Sequence, residues 1–282
     1  MGSEIALFAT LAAIAFLAGF IHSAIGFGFG IVAISLLPFV VDARSAHVIV
    51  SVSSVPMLIM AAWAYRDGIE WSSLKQALLG AAIFLPIGFA LFEWLPLDWL
   101  VRGTGLAILA MVLMSLRGNH DDSGTVNRRG ACFTAGAAAG FLAGAVSIAG
   151  PPVAAFALKQ NWDQSRYKAF VTQCLLVIAF YKASLLVARG HLTSDSIYKT
   201  VIVAVVSIAG VQLGVLASKR IAPIRFRRLV AGALIAVSCL MMWRGQPEEK
   251  KASVDQLSTA HFQTEFTTGF HSGHMQAGKA FP

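Results

Sequence analysis

Apolar residues run along this chain in long blocks, approximately 5–41, 45–64, 74–92, 98–116, 130–158, 167–188, 197–217 and 226–243, separated by short polar segments. Most have the length of a helix that crosses a hydrocarbon core of about 30 Å. The first and fifth are too long. A straight helix over 5–41 would measure about 55 Å at 1.5 Å per residue. Both are interrupted near their middles, by "GFGFG" at Gly26–Gly30 and by "AGPP" at Ala149–Pro152. The pattern predicts an all-α polytopic membrane protein in which two helices are broken at membrane depth.

An internal repeat accounts for the two long blocks. Displacing the chain by 122 residues puts Gly28 on Gly150, Arg44 on Arg166, Gly68 on Gly190 and Gly88 on Gly210. Displacing the last block by 127 puts Pro96 on Pro223, Gly105 on Gly232 and Arg117-Gly118 on Arg244-Gly245. The matches keep their order, which is the mark of a duplicated unit. The predicted organisation is a first membrane repeat over 1–118, a cytoplasmic linker over 119–129 and a second repeat over 130–245. Each repeat is a broken-helix hairpin, or two short spans, followed by three transmembrane helices. Residues 246–282 are polar, lack sustained apolar periodicity and read as a disordered tail. Its His261, His271 and His274 lack carboxylate partners and read as solvated.

Composition sharpens this picture. Hydrophobic residues make up 57% of the chain and charged residues 13%, against about 25% charge in a soluble domain. The net charge of +8 sits largely in short loops, so it marks the cytoplasmic side rather than a nucleic-acid surface. Arg117, Arg128 and Arg129 flank one connection, Lys159, Arg166 and Lys168 the next, and Lys219 to Arg228 a third. If the first two are both cytoplasmic, block 130–158 enters and leaves on one side. The same reasoning makes 5–41 a hairpin from the opposite side. The halves then have inverted topology with both termini outside, in the cell's inner membrane. Arg66 and Lys75 fit the cytoplasm, whereas Arg44 and Arg189 fall on outer loops. The first apolar run has no basic residues before it and no cleavage-like site after it, so no signal peptide is expected. Cys132, Cys174 and Cys239 lie in apolar segments without CxxC spacing and read as inert packing.

The candidate chemistry lies at the breaks. "GFGFG" lacks the G-x-G-x-x-G spacing, follows no strand and has no acidic residue about 20 positions on, so it is not a dinucleotide loop. Gly26 and Gly30 satisfy a small-xxx-small packing motif, as do Gly136, Gly140 and Gly144. A chain break inside the bilayer is the other reading, and it is tolerated only where protein or a cavity covers the backbone. Pro151 and Pro152 suit the first turn of a fresh half-helix. Two half-helix N-termini near the membrane centre would present N–H donors and positive dipole ends, a geometry that suits an anion.

Ser51, Ser53 and Ser54 in one block and Thr172 and Gln173 in another lie at similar depth and could contact it, or could bond between helices. Arg44 and Arg166, at equivalent positions after the hairpins, either attract anions to opposite mouths or anchor helix ends. Lys182 is the most intramembrane charge; it either snorkels to the outer surface or lines the pathway. His22 could titrate within the hairpin or simply find a partner.

The stretches "AGFIHSAIGFGFGIVAISLLPF" followed by "DARSAHVIVSVSSVP", and "GAAAGFLAGAVSIAGPPVAAFAL" followed by "QSRYKAFVTQCLLV", resemble the sulfite exporter TauE/SafE family of membrane transporters. The similarity covers roughly residues 5–245 and leaves the tail outside. Phenylalanines stand in "GFGFG", and "SIAGPP" in the second repeat, where many members carry further glycines. The resemblance implies transport of small, often sulfur-containing anions such as sulfite or organosulfonates, commonly outward. An inside-negative potential drives anions outward by about 2.3 kcal/mol per charge per 100 mV. Uptake would need a coupled ion, and the predicted spans hold no acidic relay.

The expected function is therefore secondary transport by alternating access, with the lipid bilayer and a small anion as partners and with no cofactor, metal or enzymatic activity. Gly26, Gly28, Gly30, Gly150 and Pro151 would shape the breaks, Ser51, Ser53, Thr172 and Gln173 would contact substrate, and Arg44, Arg166 and Lys182 would serve access. A carrier for another solute or a metal ion, a membrane-embedded enzyme and a non-transporting scaffold are the alternatives.

Overall fold

The computed structural model describes residues 2–94, 128–160 and 162–218, with isolated positions at 225, 228, 232, 235 and 236. The block 98–116, most of the block 226–243, residues 119–127 of the linker, Cys239 and the tail lie outside the described residues. All described residues belong to one compact unit, Met1–Arg244.

The described elements are helical. They are α1 (Gly2–Ile25), α2 (Phe29–Leu36), α3 (Ala43–Ala64), α4 (Trp71–Trp94), α5 (Arg128–Val146), α6 (Gly150–Lys159), α7 (Gln164–Ala188) and α8 (Ser194–Ser218), with short 3₁₀ turns at Leu37–Phe39 and Arg66–Gly68. Five of them, α1, α3, α4, α7 and α8, are long and apolar enough to cross a membrane. The chain is a polytopic all-α membrane protein. Asp42 starts α3 by accepting a hydrogen bond from the Ser45 N–H at 2.8 Å, and these donors hold its carboxyl below the usual carboxylate range.

Both long blocks break, but the limbs are unequal. α1 has 24 residues, about 36 Å of helix and a full span by itself. Only α2, with 8 residues, is short. In the second half α5 has 19 residues and α6 has 10. The first break comes only after a complete span of uninterrupted apolar helix, so the short limbs are α2 and α6.

Glycines determine which helices touch. Gly136, Gly140 and Gly144 lie one turn apart on α5 and face Ala77, Ala81 and Leu85 at the same spacing on α4. A Cβ on Gly140 would lie 2.5 Å from the Ala81 carbonyl oxygen, so only hydrogen fits there. The seam runs parallel, because residue numbers rise together along both helices. Gly19, Gly210 and Gly214 bring α1 and α8 together, also in parallel, with Gly210 against Phe16 and Phe20. Gly88 meets Phe141 on the other seam. Displaced by 122, that pair becomes Gly210 and residue 19, so the two seams are equivalent to within a helical turn.

Between the seams, α3 and α7 run antiparallel. His47 meets Lys182, Ala62 meets Gln173, and Tyr65 meets Lys168. At one end Gly68 packs on the backbone of Ser165 and Arg166. At the other, Glu93 pairs with Arg189 and His191.

Candidate anion site

The two breaks cross in contact. A Cβ on Gly30 would meet the Ser147 carbonyl oxygen at 2.5 Å, and one on Gly150 would meet the Phe27 Cβ at 2.8 Å. Each break therefore uses a glycine to admit the other. Backbone geometry explains why the chain turns there. Gly26 and Gly28 have φ of +99° and +120°, and Ser147 has φ of +57°, a left-handed conformation that costs a non-glycine residue about 1–2 kcal/mol. In the second half the strained position is thus Ser147, three residues before the Gly150 that the sequence singles out. The two glycines of the "GFGFG" small-xxx-small pair do not share a packing face, because the break lies between them. Gly26 lies against Tyr167 and the Lys168 stem, and Gly30 against Ser147.

Beside the crossing lies a cavity of about 70 Å³ lined by His22, the first turn of α2, the α5–α6 break, and one face each of α3 and α7. That volume holds several water-sized groups. Its polar groups converge from four elements: His22, Ser51, Ser54, Ser147 and Lys182. Ser51 Oγ donates to the His47 carbonyl at 2.8 Å and lies 2.6 Å from Ser147 Oγ. Ser54 Oγ donates to the Ser51 carbonyl at 2.8 Å. Lys182 Nζ donates to the carbonyls of Ala143 and Gly144 and to Ser147 Oγ, and lies 2.7 Å from His47 Nε2. The ammonium thus sits where α5 ends and its unpaired carbonyls collect, the position where a helix favours a cation. His22 Nε2 is buried and has no hydrogen-bond partner among the described residues.

The half-helices supply the opposite polarity. The first-turn N–H groups of α2, at Phe29, Gly30 and Ile31, have no acceptor within the helix. In α6, Pro151 and Pro152 occupy the first positions and carry no N–H. That half-helix offers the Gly150 N–H and its dipole but not the full donor set of α2. The expectation of two matching N–H cradles is corrected on this point. Each dipole is worth about 0.3–1 kcal/mol, up to about 2 when buried, so Lys182 is the largest electrostatic contribution present. No acidic side chain lines the cavity among the described residues.

The residues singled out from sequence divide into two groups. Gly28, Gly30, Ser51, Gly150 and Lys182 line the cavity. Lys182, at 2% exposure, does not snorkel, because carbonyls and hydroxyls within reach already satisfy its ammonium. Gly26, Ser53, Pro151, Thr172, Gln173, Arg44 and Arg166 lie off the cavity wall. Ser53 sits two residues from Ser51 and so points to the other side of α3, its hydroxyl toward the Val50 carbonyl at 3.5 Å. Pro151 is buried behind the first turn of α6. Thr172 lies one turn before Leu175 on the cavity stripe of α7, buried, with an unpartnered hydroxyl. Gln173 Nε2 donates to the Ala62 carbonyl at 3.2 Å and ties α7 to the end of α3.

Arg44 and Arg166 are exposed, and Arg44 stands over the Phe92 ring, 5.9 Å from its centroid. Sequence reasoning passed over Ser147 and His47. Displacement by 122 pairs them with Ile25 and Ala169, so the repeat carries no signal for either. The one available signal was the i, i+4 spacing of His47 and Ser51 on α3.

Among the described residues, no group of three or more His, Cys, Asp or Glu side chains is placed to hold a metal ion. Searches of curated proteins and of solved structures returned no match. Residues 11–278 match the family model described as Sulfite exporter TauE/SafE. The match runs well past residue 245, so the tail expected to lie outside the resemblance falls largely within it. A match over nearly the whole length, on a chain whose helices break beside a buried lysine, places this protein in the sulfite exporter TauE/SafE family of membrane transporters.

Proposed function

We propose that the chain is a secondary transporter that exports a small sulfur-containing oxyanion, sulfite or an organosulfonate, by alternating access at the crossed breaks. Family membership makes it a membrane transporter of sulfite or related anions; the cavity's chemistry supports the finer reading. The single observation that carries it is Lys182, a buried amine on a cavity wall that carries no carboxylate among the described residues. Its protonated form is costly in a low-dielectric interior, and an anion in the cavity would offset that cost. His22, Ser51 and Ser147 supply the hydrogen bonds that orient oxyanion oxygens. The solute has to be small, because about 70 Å³ admits only a few heavy atoms.

Export at the inner membrane, with repeats over 1–118 and 130–245, a linker between them and a separate tail, belongs to the same reading. The antiparallel course of α3 and α7, which are equivalent under displacement, supports inverted repeats. So do the matching parallel seams. In this reading the chain performs no covalent chemistry.

Proteoliposome flux of sulfite and methanesulfonate under an imposed potential tests the proposal. Lys182→Met should cut flux at least tenfold, since a hydrogen bond to a charged group is worth about 1.5–3 kcal/mol. Unchanged flux in a correctly inserted variant would remove Lys182 from the site.

A further inference from the structure

Beyond binding an anion, the site joins a lysine and a histidine whose contacts exceed the protons that an ammonium supplies. The Ser51 hydroxyl proton is spent on the His47 carbonyl. The 2.6 Å contact between Ser51 and Ser147 must then use the Ser147 proton, which leaves Ser147 Oγ as an acceptor. Lys182 Nζ has four contacts, to two carbonyls, Ser147 Oγ and His47 Nε2, and an ammonium has three protons. Two nitrogens at 2.7 Å need one proton between them, carried by either.

The imidazole's other nitrogen decides what this means. A structural histidine has its tautomer set by the bond that the second nitrogen makes. His47 Nδ1 is buried and has no hydrogen-bond partner among the described residues, so the tautomer is set at Nε2 alone, which faces Lys182 Nζ at 2.7 Å and Ser147 Oγ, already an acceptor, at 3.0 Å. Among the described residues the neighbouring charges leave the pair without a counterion. Across Phe92, whose ring stacks on His47 at 4.2 Å, stand Arg44 of α3 and Glu93 of α4. Glu93 is engaged by Arg189 and His191 at 3.4 and 3.3 Å. His22 of α1 lies on the cavity wall. The α5–α6 break contributes carbonyls and Ser147 but no charged side chain to that wall.

We propose that His47 and Lys182 form a proton relay coupled to the anion site, so that each transported anion is accompanied by one proton. In the unloaded pair, neutral Lys182 accepts from His47 Nε2–H and Nδ1 carries a lone pair. When the Phe92 side opens, a hydronium ion gives its proton to Nδ1 and leaves as water, the Nε2–H bond breaks, and that proton bonds to Nζ. The pair gains one proton and one positive charge, and no electrons are exchanged. Lys182 then presents an ammonium to the anion. An anion at that distance favours the protonated pair, and linkage is reciprocal, so the proton equally favours the anion. Anion and proton move together in the same direction. A doubly charged oxyanion carried this way still exports one negative charge, on which the inside-negative potential acts.

The inference rests on the anion-transport reading, and the experiment keeps the two apart. The full chain is reconstituted with a pH-sensitive dye inside, the potential is clamped, and methanesulfonate is the probe, because its charge does not vary across the usable pH range. One proton should cross per methanesulfonate, in the same direction. The flux should be indifferent to the clamped potential. Apparent affinity should rise as pH falls, approaching tenfold per unit above the pair's titration. Methanesulfonate flux without proton movement, with pH-independent affinity, overturns the relay and leaves anion transport standing. No flux of methanesulfonate or sulfite at any pH overturns both.

Lys182→Arg keeps a permanent cation, and His47→Gln keeps a polar side chain without the relay. In each, whatever anion flux remains should carry no protons; a ratio still near one refutes the assignment. Should neither variant insert, the wild-type ratio decides alone.

Discussion

Ser147 is the residue on which backbone and chemistry meet. It holds a left-handed φ of +57° while its hydroxyl contacts Ser51, His47 and Lys182. The strain is what aims the hydroxyl into the network, since an ordinary helical residue there would continue α5 and close the break. Two substitutions separate these roles. Ser147→Gly removes both strain and hydroxyl, and Ser147→Ala removes the hydroxyl alone. In thermal denaturation the glycine variant should therefore be more stable than the alanine variant, by about 1–2 kcal/mol. Both should lose anion affinity alike, by isothermal titration in detergent. Full affinity in either would show that the hydroxyl takes no part. None of this was legible in the sequence. The break was, because Gly150 and the two prolines announce a helix start, but a serine in an apolar run announces nothing. Its importance comes from a cation 35 residues later, and one chain read alone has no means to join them.

At the scale of elements, sequence and structure agree where local spacing carries the information. Helix lengths follow the apolar blocks, and the stripe Gly136, Gly140 and Gly144 became the α5 face of a seam with α4. The unequal limbs of the broken blocks were not legible. Block length fixes the total helix available, whereas the division between limbs depends on where the crossing partner sits. The seam makes a firm prediction. Gly140→Leu places a side chain where a Cβ alone would be 2.5 Å from the Ala81 oxygen. Overpacking of this kind costs about 1–3 kcal/mol, and backbone against backbone leaves little room to relax. The variant should show a clearly lowered melting temperature in detergent. A change at Gly190, whose Cβ would meet nothing within 4 Å, should cost only the strain of its φ of +70°. Equal melting temperatures for Gly140→Leu and wild type would mean that the seam is looser than described.

On the scale of the whole molecule, transport by alternating access requires one side of the site to be sealed while the other opens. The seal on one side is identifiable. Phe92, 4% exposed, stacks on His47 and has Lys182 Nζ at 5.8 Å and Arg44 Cζ at 5.9 Å from its ring centroid. One of these cations is buried at the cavity and the other is exposed. In the proposed alternating-access cycle the ring stands beside both stations that an anion would visit in turn, and its negative face repels an anion while attracting cations. The ion pairs of Glu93 with Arg189 and His191 close the same end. In the proposed topology that end is the outer one.

Passage there requires the ring to swing away from His47, and removing the ring should leave the passage open. In a chain with its native cysteines replaced, Ser54→Cys places a thiol on the cavity wall. Adding Phe92→Ala should speed its modification by a membrane-impermeant thiol reagent from the Arg44 side by about tenfold or more, the equivalent of about 1.4 kcal/mol of gating free energy. Modification from the Arg66 side should not change. Equal acceleration from both sides would signal a loosened bundle rather than an opened gate, and an unchanged rate would place the seal elsewhere. Because the reagent reports access and not transport, the outcome stands whichever anion the protein carries.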